Sequence, residues 1–415
     1  MPGKFSSHLF RRVTSGGAVL AELDGLRAVA ILPVVLFHAT LSIYLKGAEG
    51  QASALTGSTE VFRSPVGWLV GHGFLGVQLF FVISGFVVVL PFARARLLGE
   101  RPPGLARYYI KRLTRIEPPY VIALATFFLG TMLVAPQNAC WQDYAAGLFY
   151  LRTALFGSEP WAFFISWSLE IEVQFYLLAP AIAAVFWIRS ELFRRALLAV
   201  AIAATAALAA HARIAGLEPA PLGGPLQHGS WLGTELAFFL TGVLVADLWT
   251  TGELRSGIRA ARISWDALWL LGFAAVLAAY RVLEATPWGI SLLIGGLFLV
   301  TLGAFRSRFV RTALSIPLVS IIGGACYTIY LFHFLIVSMA GRFLAPLTGT
   351  GFERNILLIA LPFSVAVTFS CLCLFPLVER PFMHSDWPML VWRSVRERSL
   401  RPLGALFAAS RAVGP

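Results

Sequence analysis

The chain has 415 residues, of which 58% are hydrophobic and only 13% are charged, and its formal net charge is +12. Soluble proteins are about 45–50% apolar and about 25% charged, so this composition excludes a disordered chain and argues against a soluble enzyme. It predicts an all-α protein that crosses the bilayer many times. The positive charge then reflects the preference for basic residues in cytoplasmic loops, and we expect no nucleic-acid partner.

Ten apolar segments are long enough to cross a bilayer, and they predict one bundle of about ten transmembrane helices. The segments cover residues 24–45, 66–91, 117–135, 166–188, 196–215, 231–249, 265–283, 288–305, 313–340 and 354–378. The stretch 136–165 has a weaker pattern. Within it, residues 148–156 fit either a loop or a short re-entrant or interfacial piece.

The basic residues orient this bundle. When the loops are assigned alternately to the two sides, about three quarters of the 33 Lys and Arg residues fall on one side, which the positive-inside rule makes cytoplasmic. We therefore expect both termini in the cytoplasm, with a segment 1–22 that is not a signal peptide, a transmembrane domain 23–381 and a basic tail 382–415. Heavy use of Arg and Ala indicates a GC-rich bacterial genome, and hence the bacterial inner membrane.

The cysteines point to no redox or metal chemistry. They lie at Cys140, Cys326, Cys371 and Cys373, and no two of them have the spacing of a zinc or dithiol motif. We expect no disulfide, no metal ion and no resident cofactor.

The first span carries two ionisable residues, Arg27 and His38, which are eleven residues apart. Eleven residues bring a helix 20° past three full turns, so both side chains lie on one face, roughly 16 Å apart along the axis. A purely structural interpretation is a snorkelling arginine and a core histidine. We favour a functional role, because ionisable groups in an otherwise apolar span are costly.

Polar residues of two other spans fall at a depth similar to that of His38. Glu172 is about five residues into the fourth span, and His333 is about six residues from the outer end of the ninth. Tyr327, Tyr330 and His333 share one helix face. Two histidines, one carboxylate and two tyrosines are thus predicted to meet at one level, although each alone fits a role in tying helices together.

The predicted loop after the second span is the most basic part of the chain. It contains Arg94, Arg96, Arg101, Arg107, Lys111, Arg112 and Arg115. Arg112 and Arg115 are three residues apart, so they can point the same way on a helix and bind a phosphorylated cytoplasmic substrate. The alternative is that this loop only obeys the positive-inside rule and binds anionic lipids. Glycines of the second span, among them Gly76 and Gly85, favour close helix packing over ligand binding.

Together these residues resemble the acyltransferase-3 family of integral membrane proteins. The matching motifs are Leu23-Asp-Gly-Leu-Arg27 with His38, Gly76-Val-Gln-Leu-Phe-Phe-Val-Ile-Ser-Gly-Phe86, Arg112-Leu-Thr-Arg115-Ile-Glu-Pro118, Ser166-Trp-Ser-Leu-Glu-Ile-Glu172-Val-Gln-Phe-Tyr176, Tyr327-Thr-Ile-Tyr330-Leu-Phe-His333 and Glu379-Arg-Pro381. They keep their order over about residues 22–381. The chain departs from the family pattern at Val173, where a second glutamate commonly follows the first.

The resemblance implies an O-acyltransferase that moves an acyl group, usually acetyl, from a cytoplasmic acyl-CoA to a hydroxyl of a carbohydrate or glycolipid. His38 is then the general base or the acyl carrier. Glu172, His333 and Tyr330 are the further catalytic candidates. The candidates for substrate binding are Arg27, which would align the donor, Arg112 and Arg115, which would hold its phosphates, and Gln78 and Trp167, which stand in the matching motifs.

A transporter or exporter of a sugar-linked or lipid-linked substrate is the competing interpretation. It also needs about ten spans and buried charges, but it predicts charges along a path and broken helices in paired halves. A scaffold with a lapsed site is disfavoured because Arg27 and His38 are both present. The acceptor, the acyl length, the side on which the acceptor is modified, an acyl-histidine intermediate and the oligomeric state stay open at this point.

Overall fold

A computed structural model describes residues 10, 12, 20–46, 64–156, 163–215, 232–252, 264–348, 351–383 and 387. Within these residues, ten helices are long and apolar enough to cross a membrane. They are α1 (Ala21–Tyr44), α2 (Pro65–Leu97), α3 (Leu105–Val134), α4 (Trp167–Trp187), α5 (Glu191–Ile214), α6 (Leu232–Thr250), α7 (Trp265–Leu283), α8 (Gly289–Arg306), α9 (Cys326–Leu347) and α10 (Phe352–Val378). The predicted all-α membrane bundle is confirmed. Most of the predicted N-terminal segment and C-terminal tail lies outside the described residues.

The third span begins earlier than the sequence pattern suggested, so the prediction of one continuous basic loop over 92–116 is wrong. Arg94 and Arg96 belong to the last turn of α2, and α3 starts at Leu105. The apolar run that predicted this span begins only near residue 117, whereas α3 begins within the basic stretch before it and accommodates Pro118 and Pro119 in its interior. Neighbouring helices make prolines tolerable in membrane helices.

The predicted ninth span, 313–340, is interrupted rather than continuous. Short helices cover Arg308–Leu314 and Pro317–Gly324, and α9 begins only at Cys326. Pro317 lies in the first turn of the second short helix, where its missing N–H is harmless. A side chain at Gly323 would overlap the carbonyl oxygen of Asp24, so this short helix packs directly on the backbone of α1.

Between α3 and α4, the described residues 135–156 fold back along α3, and together with residues 163–166 they are here called the re-entrant segment. It contains short helices at Pro136–Asn138, Trp141–Leu148, Arg152–Phe156 and Phe164–Ser166. Near its start, Tyr144 shares a hydrogen bond of 3.1 Å with Thr131, and at its turn the Tyr150 hydroxyl donates to Glu117 at 2.9 Å. Thr131 and Glu117 are fourteen residues apart, so the segment runs roughly 21 Å back along α3.

Two glycines let α2 and α6 approach each other at backbone distance. A Cβ at Gly85 of α2 would overlap the carbonyl oxygen of Phe239, and a Cβ at Gly242 of α6 would overlap that of Val82. Within lipid, helices do not associate through the hydrophobic effect. Small residues at the contact allow close van der Waals packing of the backbones instead. The interpretation of the second-span glycines as packing residues agrees with this geometry at Gly85.

This contact predicts the effect of adding one methyl group. Gly85→Ala should destabilise the protein by about 1–3 kcal/mol, because overpacking forces the backbones of α2 and α6 apart. Gly295→Ala is the matched control, since nothing lies within 4 Å of a Cβ built there, and alanine favours the helix. Thermal unfolding of the purified proteins in detergent measures both. Equal melting temperatures for the two variants would contradict the packing argument.

Candidate active site

The basic cavity, named for the four arginines that line it, opens at the end of the bundle where α1 begins. It has a volume of 140 Å³, and the four are Arg12, Arg27, Arg112 and Arg115. The carboxyl groups that line it are those of Glu172 and Glu379. Guanidinium groups therefore outnumber carboxylates, and the cavity is suited to an anion such as a phosphate.

Asp24 fixes the two arginines nearest the start of α1. Its Oδ1 accepts a hydrogen bond from Nη1 of Arg27 at 2.5 Å and another from Nη1 of Arg12 at 3.0 Å. Burial, together with the charges of Arg27 and Arg115, lowers the pKa of Arg12 to about 9, so its guanidinium keeps its charge at neutral pH. No role was predicted for Asp24 from the sequence, although its i, i+3 spacing from Arg27 was a usable signal.

The other two arginines lie against aromatic rings and a capping carboxyl. The guanidinium carbon of Arg112 is 5.5 Å from the ring centroid of Tyr176. Arg115 interacts electrostatically with Glu379. Oε2 of Glu379 accepts hydrogen bonds from the backbone N–H and the hydroxyl of Thr328, at 3.0 and 2.7 Å. Burial raises the pKa of Glu379, and the charge of Arg115 opposes that rise. This carboxyl thus joins the end of α10 to the start of α9.

Glu172 lies in the basic cavity and not with the histidines. Its Oε1 accepts hydrogen bonds from the hydroxyl of Ser84 at 2.7 Å and from the hydroxyl of Tyr176. All three residues line the basic cavity, whereas neither His38 nor His333 does. The prediction that Glu172 lies beside His38 is therefore wrong. The position of Glu172 along α4 gave its depth but not the neighbour that its side chain faces.

The structure brings His38 and His333 into direct contact. Nδ1 of His38 is 2.9 Å from Nε2 of His333, and both side chains are buried, at 8% and 0% exposure. Nδ1 of His333 lies 2.9 Å from the carbonyl oxygen of Ile329 and 2.8 Å from that of Tyr330. The partner that orients His38 is thus a second histidine, which comes from a helix 295 residues away in sequence.

These contacts assign the protons of the histidine pair. A carbonyl oxygen only accepts, so Nδ1 of His333 carries its proton and, in the neutral ring, Nε2 is the acceptor. Nδ1 of His38 must then be the donor between the rings. The lone pair of His38 is left on Nε2, which is the nitrogen that can take a proton or attack a carbonyl carbon.

Tyr330 connects the basic cavity to the histidine pair. Its hydroxyl donates to the carbonyl oxygen of Ile165 and accepts from the hydroxyl of Ser168, each at 2.5 Å, and its side chain lines the cavity. Its own carbonyl oxygen accepts from His333. Tyr327 is anchored instead by a hydrogen bond of 2.9 Å to the carbonyl oxygen of Ile116.

Gln78 and Trp167 lie outside the lining of the basic cavity. Gln78 is buried, and among the described residues no donor reaches its Oε1. The ring of Trp167 packs edge-on against Phe81 at 6.4 Å. The structure therefore places these two candidates in the packing around the site.

A second cavity, the distal cavity, lies at the opposite end of α3 and α9. Its volume is 720 Å³, and its polar lining includes Asn138, Asp143 and Arg342. Along α9, Tyr330 lines the basic cavity and Phe334 lines the distal one, and His333 stands between them. The ring of Phe334 also lies 5.5 Å from that of His38. The histidine pair thus separates two cavities that approach it from opposite ends of the bundle.

One buried ion pair and one buried hydrogen bond in this region were not predicted from the sequence. The guanidinium Nε of Arg152 donates to Asp143 at 3.0 Å, and Arg152 is only 2% exposed. The backbone N–H of Thr153 donates to Glu170 at 2.9 Å, which ties the re-entrant segment to α4. No helical periodicity marks such pairs, because their partners lie on different elements.

Comparison with known proteins identifies relatives. The acyltransferase-3 family model, described as an acyltransferase domain, matches residues 20–375. A putative O-acetyltransferase of Staphylococcus aureus strain MRSA252 is 24% identical over 410 residues, which cover 90% of this chain and 58% of the relative. The O-acetyltransferase OatA of S. aureus strain NCTC 8325 is 24% identical over 340 residues, which cover 77% of this chain and 50% of OatA. The chain thus spans between half and three fifths of the length of these relatives. No solved structure matches it significantly.

Arg12 and Arg27 both donate hydrogen bonds to Asp24, so we expect the stability of the site to depend strongly on this carboxylate. Asp24→Asn should destabilise the protein by about 3–5 kcal/mol, because it leaves the buried guanidinium of Arg27 and the half-buried one of Arg12 without their counter-charge. Glu100→Gln is the control, since its ion pair with Arg94 is exposed and worth about 1 kcal/mol or less. Thermal unfolding in detergent compares the two, and a similar small shift for both would show that Asp24 is not the organising charge.

Proposed function

The chain belongs to the acyltransferase-3 family, and we propose that it moves an acyl group, acetyl in the simplest case, from acyl-CoA to a hydroxyl of a saccharide or related cell-envelope acceptor. Membership of this family and the similarity to O-acetyltransferases support a membrane-embedded O-acyltransferase. The observation that carries the proposed mechanism is the hydrogen bond from Nδ1 of His38 to Nε2 of His333.

In the direct route, Nε2 of His38 takes the proton of the acceptor hydroxyl while the oxygen attacks the thioester carbonyl carbon. The C–S bond breaks, and the proton passes from the imidazolium to the departing CoA thiolate. In the two-step route, the same nitrogen attacks the thioester carbonyl carbon, the C–S bond breaks, and the CoA thiolate takes up the proton that the acylimidazolium ring releases. The acceptor hydroxyl then attacks the acyl carbon, the bond from that carbon to Nε2 of His38 breaks, and the hydroxyl proton returns to the imidazole ring. Both routes need the lone pair on Nε2 that His333 secures.

The arginines of the basic cavity are our candidates for holding the donor. CoA carries a diphosphate and a further phosphate, and guanidinium groups bind such oxygens with paired hydrogen bonds. With the phosphates on Arg112, Arg115 and Arg27, the thioester arm would extend past Ser168 and Tyr330 towards the histidine pair. By the positive-inside rule this end is cytoplasmic, which is where acyl-CoA is made.

The acceptor, in this proposal, comes from the opposite side through the distal cavity. Its lining of amide, carboxylate and guanidinium groups suits the hydroxyls of a saccharide, and Phe334 offers a flat apolar surface next to His38. The acyl group would then leave its donor at one face of the bacterial inner membrane and join its acceptor at the other. Family membership favours this enzyme over an exporter of a sugar-linked lipid.

Substitution of His38 tests the catalytic assignment. His38→Gln should lower the rate of acyl transfer by about 10²–10⁴, because glutamine can still hydrogen-bond between helices but cannot take a proton at neutral pH. Transfer from radiolabelled acetyl-CoA to exported glycans in membrane vesicles provides the measurement. His211→Gln, on the exposed side of α5, is the control. Near-normal transfer by folded His38→Gln protein would refute a catalytic role for this histidine.

The donor site is tested separately. Arg112→Gln and Arg115→Gln should each raise the KM for acetyl-CoA about tenfold to a hundredfold, since a charge-assisted hydrogen bond contributes about 1.5–3 kcal/mol. Arg101→Gln, which removes an exposed charge outside the cavity, should leave KM unchanged. The titration is then repeated with acetyl-dephospho-CoA, which lacks one phosphate. A variant of the arginine that binds this phosphate should have the same KM for acetyl-dephospho-CoA as for acetyl-CoA. If Arg112→Gln and Arg115→Gln have the same KM for acetyl-CoA as the control Arg101→Gln, these two arginines do not bind the donor.

A further inference from the structure

A second buried charge cluster lies at the same end of the bundle as the basic cavity but on another flank, where α5 meets α6. Asp247 of α6 is fully buried at 0% exposure, and Arg194 of α5 is only 1% exposed. Nε of Arg194 donates to one carboxylate oxygen of Asp247, and Nε of Arg195 donates to the other at 2.8 Å. Neither arginine contributes to the acyl-transfer site described above.

A polar cavity of 560 Å³, the lateral cavity, borders this cluster. Its charged lining residues are Arg96, Arg189, Glu191 and Arg194. Together with Arg195 and Asp247, which stand behind them, they make four guanidinium groups against two carboxylates. The lateral cavity therefore carries an excess of positive charge at the edge of the membrane, where an anion would be drawn to it.

Arg194 also has an unused donor. Its Nη1 donates to the carbonyl oxygen of Ile188 at 2.7 Å, but Nη2 is buried and has no acceptor among the described residues. A buried guanidinium N–H without an acceptor is unfavourable, whereas a phosphate oxygen would satisfy it with a charge-assisted hydrogen bond.

An apolar cavity of 450 Å³ adjoins the lateral cavity. Phe92, Pro103, Pro180 and Ala184 are among its lining residues, and it shares Arg96 and Trp187 with the lateral cavity. The guanidinium carbon of Arg96 lies 4.0 Å from the ring centroid of Trp187, so this stacked pair forms the boundary between the two spaces. Tryptophan and arginine are residues that sit at the level of lipid headgroups.

We propose that these adjoining cavities bind one anionic phospholipid of the surrounding bilayer. Its phosphate would accept hydrogen bonds from Arg194, Arg189 and Arg96 in the lateral cavity, and an acyl chain would occupy the apolar cavity beyond Trp187. The apolar cavity is the reason to assign a lipid and not a free phosphate, which would leave that space unfilled. The lipid would hold together the ends of α2, α4, α5 and α6.

The test uses two variants that weaken the site in different ways. Arg96→Gln/Arg189→Gln removes two exposed charges from the rim and leaves the Arg194–Asp247 pair intact, so folding is preserved. Ala184→Trp fills the apolar cavity without changing charge. Arg101→Gln/Arg308→Gln removes two exposed arginines that line neither cavity, and serves as the charge-matched control.

The readout is retained lipid, so it does not depend on acyl transfer. Full-length protein is purified in mild detergent, incubated with dioleoyl-phosphatidylglycerol or dioleoyl-phosphatidylcholine, and analysed by native mass spectrometry. Wild type and control should retain one phosphatidylglycerol in preference to phosphatidylcholine, and both test variants should lose about tenfold or more in affinity. Equal retention by all four proteins would overturn the proposal. It would equally be overturned if Ala184→Trp bound normally and inorganic phosphate displaced the lipid, since the site would then hold a free anion.

Discussion

A charge inside an apolar bundle has to be paired, because no water is present to solvate it. Asp24 meets this requirement for Arg27 and Arg12 at the start of α1. Asp143 does so for Arg152 in the re-entrant segment, and Asp247 for two arginines of α5. The pairs of Asp247 join α6 to α5, which are distant in sequence. The other pairs are more local, since Asp24 and Arg27 are three residues apart on α1 and Asp143 and Arg152 are nine residues apart in the re-entrant segment.

The same requirement shapes the histidine pair in the middle of the bundle. His333 uses one nitrogen on carbonyl oxygens of its own helix and the other on His38. The contacts with carbonyl oxygens place the proton of His333 on Nδ1. Nε2 of His333 is therefore an acceptor, and Nδ1 of His38 is the donor to it. A backbone feature of α9 thus decides which nitrogen of a side chain on α1 is basic. Pre-organisation of this kind avoids rearrangement at the moment of reaction.

The position of the histidine pair between two cavities gives the proposed reaction a direction. The basic cavity has the charge that a CoA donor needs, and the distal cavity has the neutral and mixed polar groups that suit a sugar. Since the two cavities lie on either side of the pair, towards opposite ends of the bundle, donor and acceptor need not share one opening. The anionic lipid proposed at Arg194 lies on a separate flank and shares no lining residue with the basic cavity.

The sequence by itself determined the class of protein, the approximate positions of the ten spans, and the placement of Arg27 and His38 on one face of α1. These depend on hydrophobic run length and helical period, which are local properties. The family followed from ordered motifs. Even so, the apolar run misplaced the start of α3, because this helix begins in a basic stretch that run length does not detect.

Only the tertiary structure decided which side chains meet. His38 and His333 form a pair, whereas Glu172 turns to Ser84 and Tyr176, and Gln78 and Trp167 lie outside the basic cavity. Asp247 acquires its importance only through partners on another helix, and Asp24 binds Arg12 in addition to Arg27 of its own helix. The physical reason is that sequence gives the height and face of a residue on its own helix. The rotation, tilt and neighbours of that helix come from packing against the rest of the bundle.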